Sequence, residues 1–263
     1  MFAAVVPVQN EEKRLKGSIE ALLSIPVNLI IPVINGSSDN SRQVVLQMKS
    51  PLITPLYFKE PLGIDVPRAI GAKTALDRGA DAVLFLDGDM NGNIANNLME
   101  LLLLINDGAL DMALTDCYPG SHQVARSTLA SCVLKMRRRL NRELGLEDII
   151  GPASPSHGPH AVSRRFLTTV PLREISLPPV SLALAVKKGL SIGIGTKIPH
   201  QALGSPEKNP LHSEKIAETI IGDCLEAMQV YRDEKRSRSL GTKKYTGYHA
   251  HRRWDLLDKY LMQ

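Results

Sequence analysis

The chain of 263 residues has few aromatic residues, few cysteines and no long apolar run. Phe, Trp and Tyr make up only 4% of it, which argues against a nucleic-acid surface built from stacked rings. Its three cysteines form no CxxC pair, so a disulfide framework or a zinc site is not expected, and a reducing cytoplasm is the natural location. The longest apolar run, MELLLLI at 99–105, is far shorter than the roughly 20 residues of a membrane span.

The positive charge of the chain is concentrated in two segments. The net charge is +5 at pH 7, and most of the excess lies in KMRRRLNR at 135–142 and in the segment 232–253. Such patches suit phosphates or anionic headgroups, and they equally suit a solvated helix face. Since the first 17 residues lack the basic region of a signal peptide, we expect a cytoplasmic protein. Contact with the inner membrane surface would be peripheral at most, and no nucleic-acid partner is expected.

Apolar runs alternate with segments of helical period in the first half of the chain. The runs predict strands at 3–8, 27–34, 54–58 and 82–87. The periodic segments predict helices at 12–24, 40–49 and 66–78. This alternation is typical of βαβ units, so we predict an α/β fold with a mostly parallel central sheet flanked by helices. Pro32 inside the second run places that strand near an edge of the sheet.

The second half of the chain is less regular. Strands are predicted at 111–116 and 191–195, and helices at 95–106, 124–144, 178–190 and 213–235. The segment 151–165, rich in Gly, Pro, Ser and His, is predicted to be a loop. We expect one domain at 1–235 followed by a basic C-terminal extension at 236–263. The amphipathic pattern of 254–261 suits a helix that docks on the domain or on a second copy of the chain.

Three polar clusters follow predicted strands: VQNEE at 8–12, NGSSD at 35–39 and DGD at 87–89. In parallel sheets ligands bind outside the carboxyl ends of the strands, so these clusters are expected to line one crevice. Asp87 and Asp89 repel each other unless a cation or hydrogen-bond donors compensate them. A solvated turn would explain the two acids equally well by themselves. The coincidence of three such clusters favours a binding site.

The quoted segments resemble a known family in their order and spacing. VVPVQNEEKRLKGSIEALL, NGSSDNS and GIDVPRAIGAKTALDRGADAVLFLDGDM, which fall within residues 3–95, are similar to the motifs of the family 2 glycosyltransferases with the GT-A fold. The resemblance implies a Rossmann-like nucleotide-diphospho-sugar transferase fold. It also implies a hexosyltransferase-like enzyme that moves a sugar from a UDP or GDP sugar to an acceptor. Mg²⁺ or Mn²⁺ would then neutralise the leaving diphosphate.

The resemblance assigns roles at the donor end. Asp89 is implied as the metal ligand and Asp87 as the acid that contacts the ribose or a metal-bound water, while Gly88 keeps the turn free of a side chain. The other donor-binding residues that it implies are Pro7, Val8, Asn10, Glu11, Asn35 and Arg68. Asn35 stands where the family usually has an Asp that accepts from the base, so the preferred base stays open. The family's Gly-Lys-Gly is replaced by Gly63-Ile64-Asp65, so its lysine contact is missing.

The acceptor end is less well defined by the resemblance. His200, or alternatively His212, is the implied further metal ligand, although a lone histidine is equally often structural. His157, His160 and Arg164 are expected on the acceptor side. The family's catalytic acid has no counterpart at Pro178-Pro179, and the weak candidates nearest in sequence are Asp116 and Glu174. Either the base lies elsewhere, or the enzyme is retaining, as in enzymes of the glucosyl-3-phosphoglycerate synthase type.

Two other functions are weighed against sugar transfer. A sugar-nucleotide nucleotidyltransferase would carry a G-x-G-x-R loop after the first strand, and this chain has VQNEE instead. A degenerate GT-A module that binds a nucleotide or a partner without turnover is motivated by Asn35, the missing lysine and Pro178-Pro179. The D-x-D motif favours the enzyme. The basic segments suggest an anionic, phosphorylated or lipid-linked acceptor.

Overall fold

The computed structural model describes residues 1–120, 128–206 and 209–263. Within these ranges the main sheet has seven strands: β1 (Phe2–Val8), β2 (Leu29–Asn35), β3 (Leu56–Phe58), β4 (Ala82–Phe85), β5 (Met112–Asp116), β6 (His160–Ser163) and β7 (Ile192–Lys197). A separate two-stranded hairpin consists of β8 (Ser239–Leu240) and β9 (Lys243–Lys244). No helix of the described part of the chain is long and apolar enough to cross a membrane.

The helices lie between and after these strands. The α-helices are α1 (Leu15–Leu23), α2 (Ser41–Gln47), α3 (Val66–Asp77), α4 (Ala95–Asn106), α5 (Thr128–Glu143), α6 (Glu147–Ile150), α7 (Arg164–Thr169), α8 (Pro178–Lys187), α9 (Pro210–Tyr231) and α10 (Trp254–Leu261). Short 3₁₀ helices cover Leu172–Ser176, His200–Leu203 and His249–His251. The predicted helix at 124–144 falls partly outside the described residues, and its described part is α5.

The main sheet has the strand order β3-β2-β1-β4-β6-β5-β7. All neighbours are parallel except that β6 is antiparallel to both β4 and β5. The predicted α/β fold with a mostly parallel sheet is therefore confirmed. Pro32 lies in β2, next to the short edge strand β3, whose register with β2 begins only at Val33. Because no ladder bond is formed there, the missing N–H of Pro32 is tolerated.

The strands are apolar because the sheet is buried on both faces. Along β1 and β2 successive side chains enter two different cores, with Val5 and Ile31 in one and Val6 and Ile30 in the other. Alternate residues of a strand point to opposite faces, so a continuous apolar run fills both cores. The polar residues that follow each run are thereby left at the carboxyl edge of the sheet.

The prediction of a loop at 151–165 is wrong from residue 160 onwards. Residues His160–Ser163 form β6, and α7 begins at Arg164. The strand is only four residues long and follows Gly158-Pro159, so its local sequence has the composition of a turn. Its pairing with β4 and β5 on both sides stabilises it instead. Propensity is overridden here by tertiary contacts.

The C-terminal segment 236–263 packs against its own chain. The α10 residue Tyr260 shares a hydrogen bond of 2.8 Å with Thr74 of α3, and the guanidinium of Arg173 lies 4.3 Å from the ring centre of Trp254. The backbone N–H of Arg253 donates to the carbonyl of Leu62 at 2.9 Å. These contacts bring the segment to the chain between β3 and α3, beside the carboxyl edge of the sheet.

Candidate active site

A cavity of about 600 Å³ opens at the carboxyl ends of β1, β2 and β4. One wall is formed by the three polar clusters of the sequence, and the opposite wall is formed by α5, α9 and the loop around Ser156. The cavity lining includes these predicted residues: Pro7, Val8, Glu11, Asn35, Arg68, Asp87, Gly88, Asp89, His157, His200 and His212. The structure therefore brings together most of the residues that the sequence pattern singles out.

The first two polar clusters hold each other by hydrogen bonds. The Asn10 side-chain oxygen accepts from the Ser38 N–H at 2.8 Å, and the Asn10 N–H donates to the Ser37 hydroxyl at 3.1 Å. The Glu12 N–H donates to the Asp39 carboxylate at 2.9 Å. Burial would raise the pKa of Asp39, but hydrogen bonds from Ser41 and from the backbone outweigh it and lower that pKa. Asn10 thus faces the neighbouring loop and fixes the rim of the cavity.

Asp87 is compensated by a buried arginine. The Nη2 of Arg68 donates to Asp87 Oδ1 at 2.6 Å, and its Nε lies 3.2 Å from Asp65 Oδ1. Arg68 is only 5% exposed, so this pair works in a region of weak solvent screening. Asp65 in turn accepts from Arg252 at 3.3 Å, which links the D-x-D motif to the C-terminal segment.

The turn of the D-x-D motif is held close to the end of β1. The Gly88 N–H donates to the Pro7 carbonyl at 3.1 Å, and a Cβ at Gly88 would lie only 3.1 Å from that same oxygen. The buried hydroxyl of Ser18 lies 3.0 Å from each of the carbonyls of Gly88 and Met90. A side chain at position 88 would therefore need the Pro7 backbone to shift by a few tenths of an ångström, and Ser18 of α1 fixes the turn from below.

Asp89 lines the cavity, and so do Ser205 and His200. The Ser205 hydroxyl donates to Asp89 Oδ1 at 3.2 Å, and His200 lines the same cavity after donating its backbone N–H to Cys117 at 3.0 Å. Burial, and then the charge of Arg137, lower the pKa of His200, so its imidazole is neutral at pH 7. A carboxylate, a hydroxyl and a neutral imidazole form a donor set that fits Mg²⁺ or Mn²⁺.

Asn35 is buried and its amide is engaged with neighbouring backbone. Its side-chain oxygen accepts from the Leu62 N–H, and its Nδ2 donates to the Gly63 carbonyl at 3.4 Å. Gly63 has φ +87°, a left-handed conformation that favours glycine. Asn35 thus holds the segment that stands where the family's lysine is missing.

The opposite wall combines histidines, a tyrosine and a buried cation. The rings of His157 and His200 have centroids 5.1 Å apart, and Tyr118 stacks on His157 at 5.6 Å. Burial, then the charges of Arg137 and His200, lower the pKa of His157 well below its usual value. The guanidinium of Arg137 donates to the Ser156 hydroxyl at 3.1 Å.

Apart from Asn10 at the rim, four predicted residues lie outside the described lining of the cavity. His160 of β6 stacks on Phe85 at 4.8 Å between ring centres, within the sheet. Arg164 donates to the Ala80 carbonyl at 3.0 Å, beside the amino end of β4 and opposite to the site. Asp116 accepts from the Tyr118 N–H at 2.9 Å, and Glu174 accepts two hydrogen bonds from Arg236. The structure therefore does not bring these four to the cavity.

The alternative ligand His212 lines the cavity at the start of α9. Its Nδ1 lies 2.8 Å from the Tyr248 hydroxyl, and its N–H donates to the side chain of Asn209 at 2.8 Å. Lining residues that sequence reasoning missed include Tyr118, Arg137, Ser156 and Ser205. No local motif marks them, because the fold brings them from four separate segments.

One further group of titratable residues has the spacing of a metal site. Ligand atoms of Asp223, Glu226 and His249 all lie within 4.8 Å of one another. Arg238 and Arg252 both donate to Asp223, and Arg238 also donates to Glu226 at 3.2 Å. Guanidinium groups already occupy these carboxylates, so the group is a buried ion network rather than a metal centre.

Comparison with known proteins agrees with this geometry. The family model described as glycosyl transferase family 2 matches residues 3–167, which is more than half of the chain. The chain therefore belongs to glycosyl transferase family 2 and is a glycosyltransferase. No curated protein sequence matches the chain.

Solved structures with the same fold share little sequence with the chain. A mycobacterial protein is 15% identical, with a TM-score of 0.63, over 87% of this chain and 74% of that one. Glucosyl-3-phosphoglycerate synthase from Mycobacterium tuberculosis in complex with UDP is 17% identical, with a TM-score of 0.60, over 85% and 80% of the two chains. The same enzyme in complex with Mn²⁺, UDP and phosphoglyceric acid is 18% identical, with a TM-score of 0.58, over 85% and 78%. These likenesses show the GT-A fold.

Proposed function

We propose that this glycosyltransferase moves a sugar from a nucleoside diphosphate sugar to an anionic acceptor, with Mg²⁺ or Mn²⁺ bound at Asp89. The observation that carries the proposal is the arrangement of the two acids of the D-x-D motif. Asp87 is paired with buried Arg68, whereas Asp89 accepts from Ser205 and lines the same cavity as His200. Asp87 would thus position the donor, and Asp89 would ligate the cation.

The donor would occupy the wall that the three polar clusters form. Pro7 and Val8 line the nucleoside end together with Glu11 and Asn35. Asp89 and His200 would hold the metal, which supplies positive charge to the diphosphate as it leaves. The fold neighbour that binds UDP and Mn²⁺ supports a uridine donor, although Asn35 leaves room for a different base.

The wall formed by α5, α9 and the loop around Ser156 would face the acceptor, and this acceptor wall favours transfer with retention of configuration. The one carboxylate among its described lining residues, Asp223 of α9, is held by Arg238 and Arg252 and is therefore not available as a general base. A buried histidine with a lowered pKa is a weak base at neutral pH, so His157 suits acceptor positioning better than proton removal. A phosphate oxygen of the departing diphosphate would then take the proton of the acceptor hydroxyl.

Nucleotide release from UDP and GDP sugars in the presence of Mn²⁺ tests the proposal. We expect the wild-type protein to release the diphosphate slowly by hydrolysis, and faster when phosphoglyceric acid is added as a trial acceptor. Asp89→Ala should abolish release, whereas an exposed change such as Arg139→Met should leave it intact. If the wild type neither binds nor turns over any donor, the enzymatic function is excluded.

The degenerate binding module remains the second candidate. The engagement of Asn35 with the Leu62 and Gly63 backbone favours it, because that amide has fewer free positions for a base. Calorimetry separates the two: a degenerate module binds UDP with Mn²⁺ but releases no product from any UDP or GDP sugar.

A further inference from the structure

Among the residues that the structure describes, Arg137 is a buried cation without an anionic partner. It lies in α5, it lines the cavity and it is only 3% exposed. Its Nη2 donates to the Ser156 hydroxyl at 3.1 Å, while its Nε has no hydrogen-bond partner. No carboxylate among the described residues pairs with it. A buried charge without a counter-charge is costly, so such a group points to an anion that binds beside it.

The other buried arginines of the described chain are all compensated. Arg68 pairs with Asp65 and Asp87, and Arg238 and Arg252 both pair with Asp223. The fold thus matches each of these buried guanidiniums to a carboxylate and omits that match only at Arg137. The exception lies at the wall of the cavity, where a substrate can supply the missing charge.

The groups around Arg137 favour an oxyanion. The Nε2 of His157 is buried and has no hydrogen-bond partner, and Ser156 carries a hydroxyl directly beside the guanidinium. Phosphate and carboxylate oxygens accept from such donors in the geometry that a guanidinium fork provides.

We infer that Arg137, Ser156 and His157 form an oxyanion subsite that holds the phosphate or carboxylate group of the acceptor. The inference rests on the proposed function, which places the donor diphosphate at Asp89. Arg68, the guanidinium nearest the proposed donor site, is already neutralised by Asp65 and Asp87. An anionic group of the acceptor would therefore need another cation, and Arg137 can supply it. The subsite selects acceptors that carry an anionic group near the hydroxyl that receives the sugar.

Calorimetric titration with inorganic phosphate tests the subsite, both for the free protein and for the protein saturated with UDP and Mg²⁺. The wild type should bind phosphate in both states. Arg137→Met should weaken phosphate binding about tenfold or more, because it removes a charge-assisted hydrogen bond, and Arg137→Lys should retain part of it. Arg139→Met is the matched control, since Arg139 is exposed on the same helix, and it should bind phosphate as the wild type does.

Binding of UDP with Mg²⁺ is measured for every variant, so that failure of the subsite and failure of the proposed function can be told apart. Unchanged UDP affinity in Arg137→Met supports the acceptor assignment and shows that the variant is folded. Should Arg137→Met not fold, Ser156→Ala replaces it and should weaken phosphate binding about threefold. The inference is overturned if Arg137→Met binds phosphate like the wild type. It is also overturned if UDP displaces phosphate and Arg137→Met weakens UDP, since the anion would then be the donor diphosphate.

Discussion

Replacement of Arg252 by Met is the sharpest test of how the C-terminal segment supports the fold. The Arg252 side chain is 0% exposed, and it donates to both oxygens of Asp223 at 2.9 and 2.7 Å. It also donates to Asp65 at 3.3 Å and to the Ile64 carbonyl at 3.2 Å. Methionine keeps an apolar stem of similar length but leaves buried Asp223 and partly buried Asp65 without this partner.

Arg252→Met should lower the free energy of unfolding because it removes one member of a buried ion network. Removal of one partner from a buried ion pair typically costs about 3–5 kcal/mol. For a domain of this size such a change lowers Tm by on the order of 10 °C. Arg252→Lys keeps the charge but not the two parallel bonds to Asp223, so its loss should lie between those of the wild type and the methionine variant.

The stability that Arg252→Met loses should also become smaller as the pH falls. Burial raises the pKa of Asp65 despite the opposing charges of Arg68 and Arg252. Loss of Arg252 raises that pKa further, so the folded variant takes up a proton at a higher pH than the unfolded chain does. Its stability deficit should therefore shrink as pH falls from 7 towards about 5.

Thermal and urea unfolding of Arg252→Met and of Arg253→Met at several pH values provides the assay. Arg253 is the matched control because it is the adjacent residue and pairs with Glu60 and Asp255 at the surface, so its loss should shift Tm by about 1 °C at most. Equal unfolding temperatures for the two variants would refute the role of the buried network. A deficit that grows at low pH would refute the stranded-carboxylate explanation.

Three further predictions follow from other parts of the structure. Gly71→Ala should cost about 1–3 kcal/mol in urea unfolding, because a Cβ there collides with the Val5 side chain, and an unchanged midpoint would contradict this packing. Only Cys132 should react with a thiol reagent in the native protein, since it is exposed while burial raises the pKa of Cys117 and Cys224 to about 12; rapid labelling of two or three thiols would disagree with the structure. Burial would raise the pKa of Asp111, but hydrogen bonds from Ser191 and Ser163 lower it. Its contribution to stability is thus present at neutral pH and lost as pH falls below about 4, so Asp111→Asn should flatten the acid unfolding curve. If the acid unfolding curve of Asp111→Asn ran parallel to that of the wild type, Asp111 would not contribute to the pH dependence of stability.

The first half of the fold could be predicted from the sequence because its signals are local. Apolar runs buried on both faces define β1, β2 and β4, and each ends in a polar cluster at the same edge of the sheet. The position of the D-x-D turn follows directly from that arrangement. Gly88 and its close approach to Pro7 are consistent with the same local pattern.

The acceptor wall could not be predicted because long-range packing assembles it. Arg137 lies within the basic run 135–142, and nothing in that run distinguishes it from the exposed Arg139 beside it. Ser156 meets it only because β6 inserts between β4 and β5 and carries the preceding loop to α5. Arg238 and Arg252, the partners of Asp223, likewise lie 15 and 29 positions after it in the sequence. Pairings at such separations leave no periodic signal in the sequence.

The position of bound Mn²⁺ is the most direct test of the proposed metal site at Asp89. Crystals of the protein grown or soaked with Mn²⁺ and UDP can be measured at a wavelength where manganese scatters anomalously. We expect one anomalous peak in the cavity about 2 Å from an Asp89 carboxylate oxygen, with His200 as a further ligand, and no such peak in Asp89→Ala. A peak among Asp223, Glu226 and His249, or UDP bound in the cavity with no manganese beside Asp89, would contradict it.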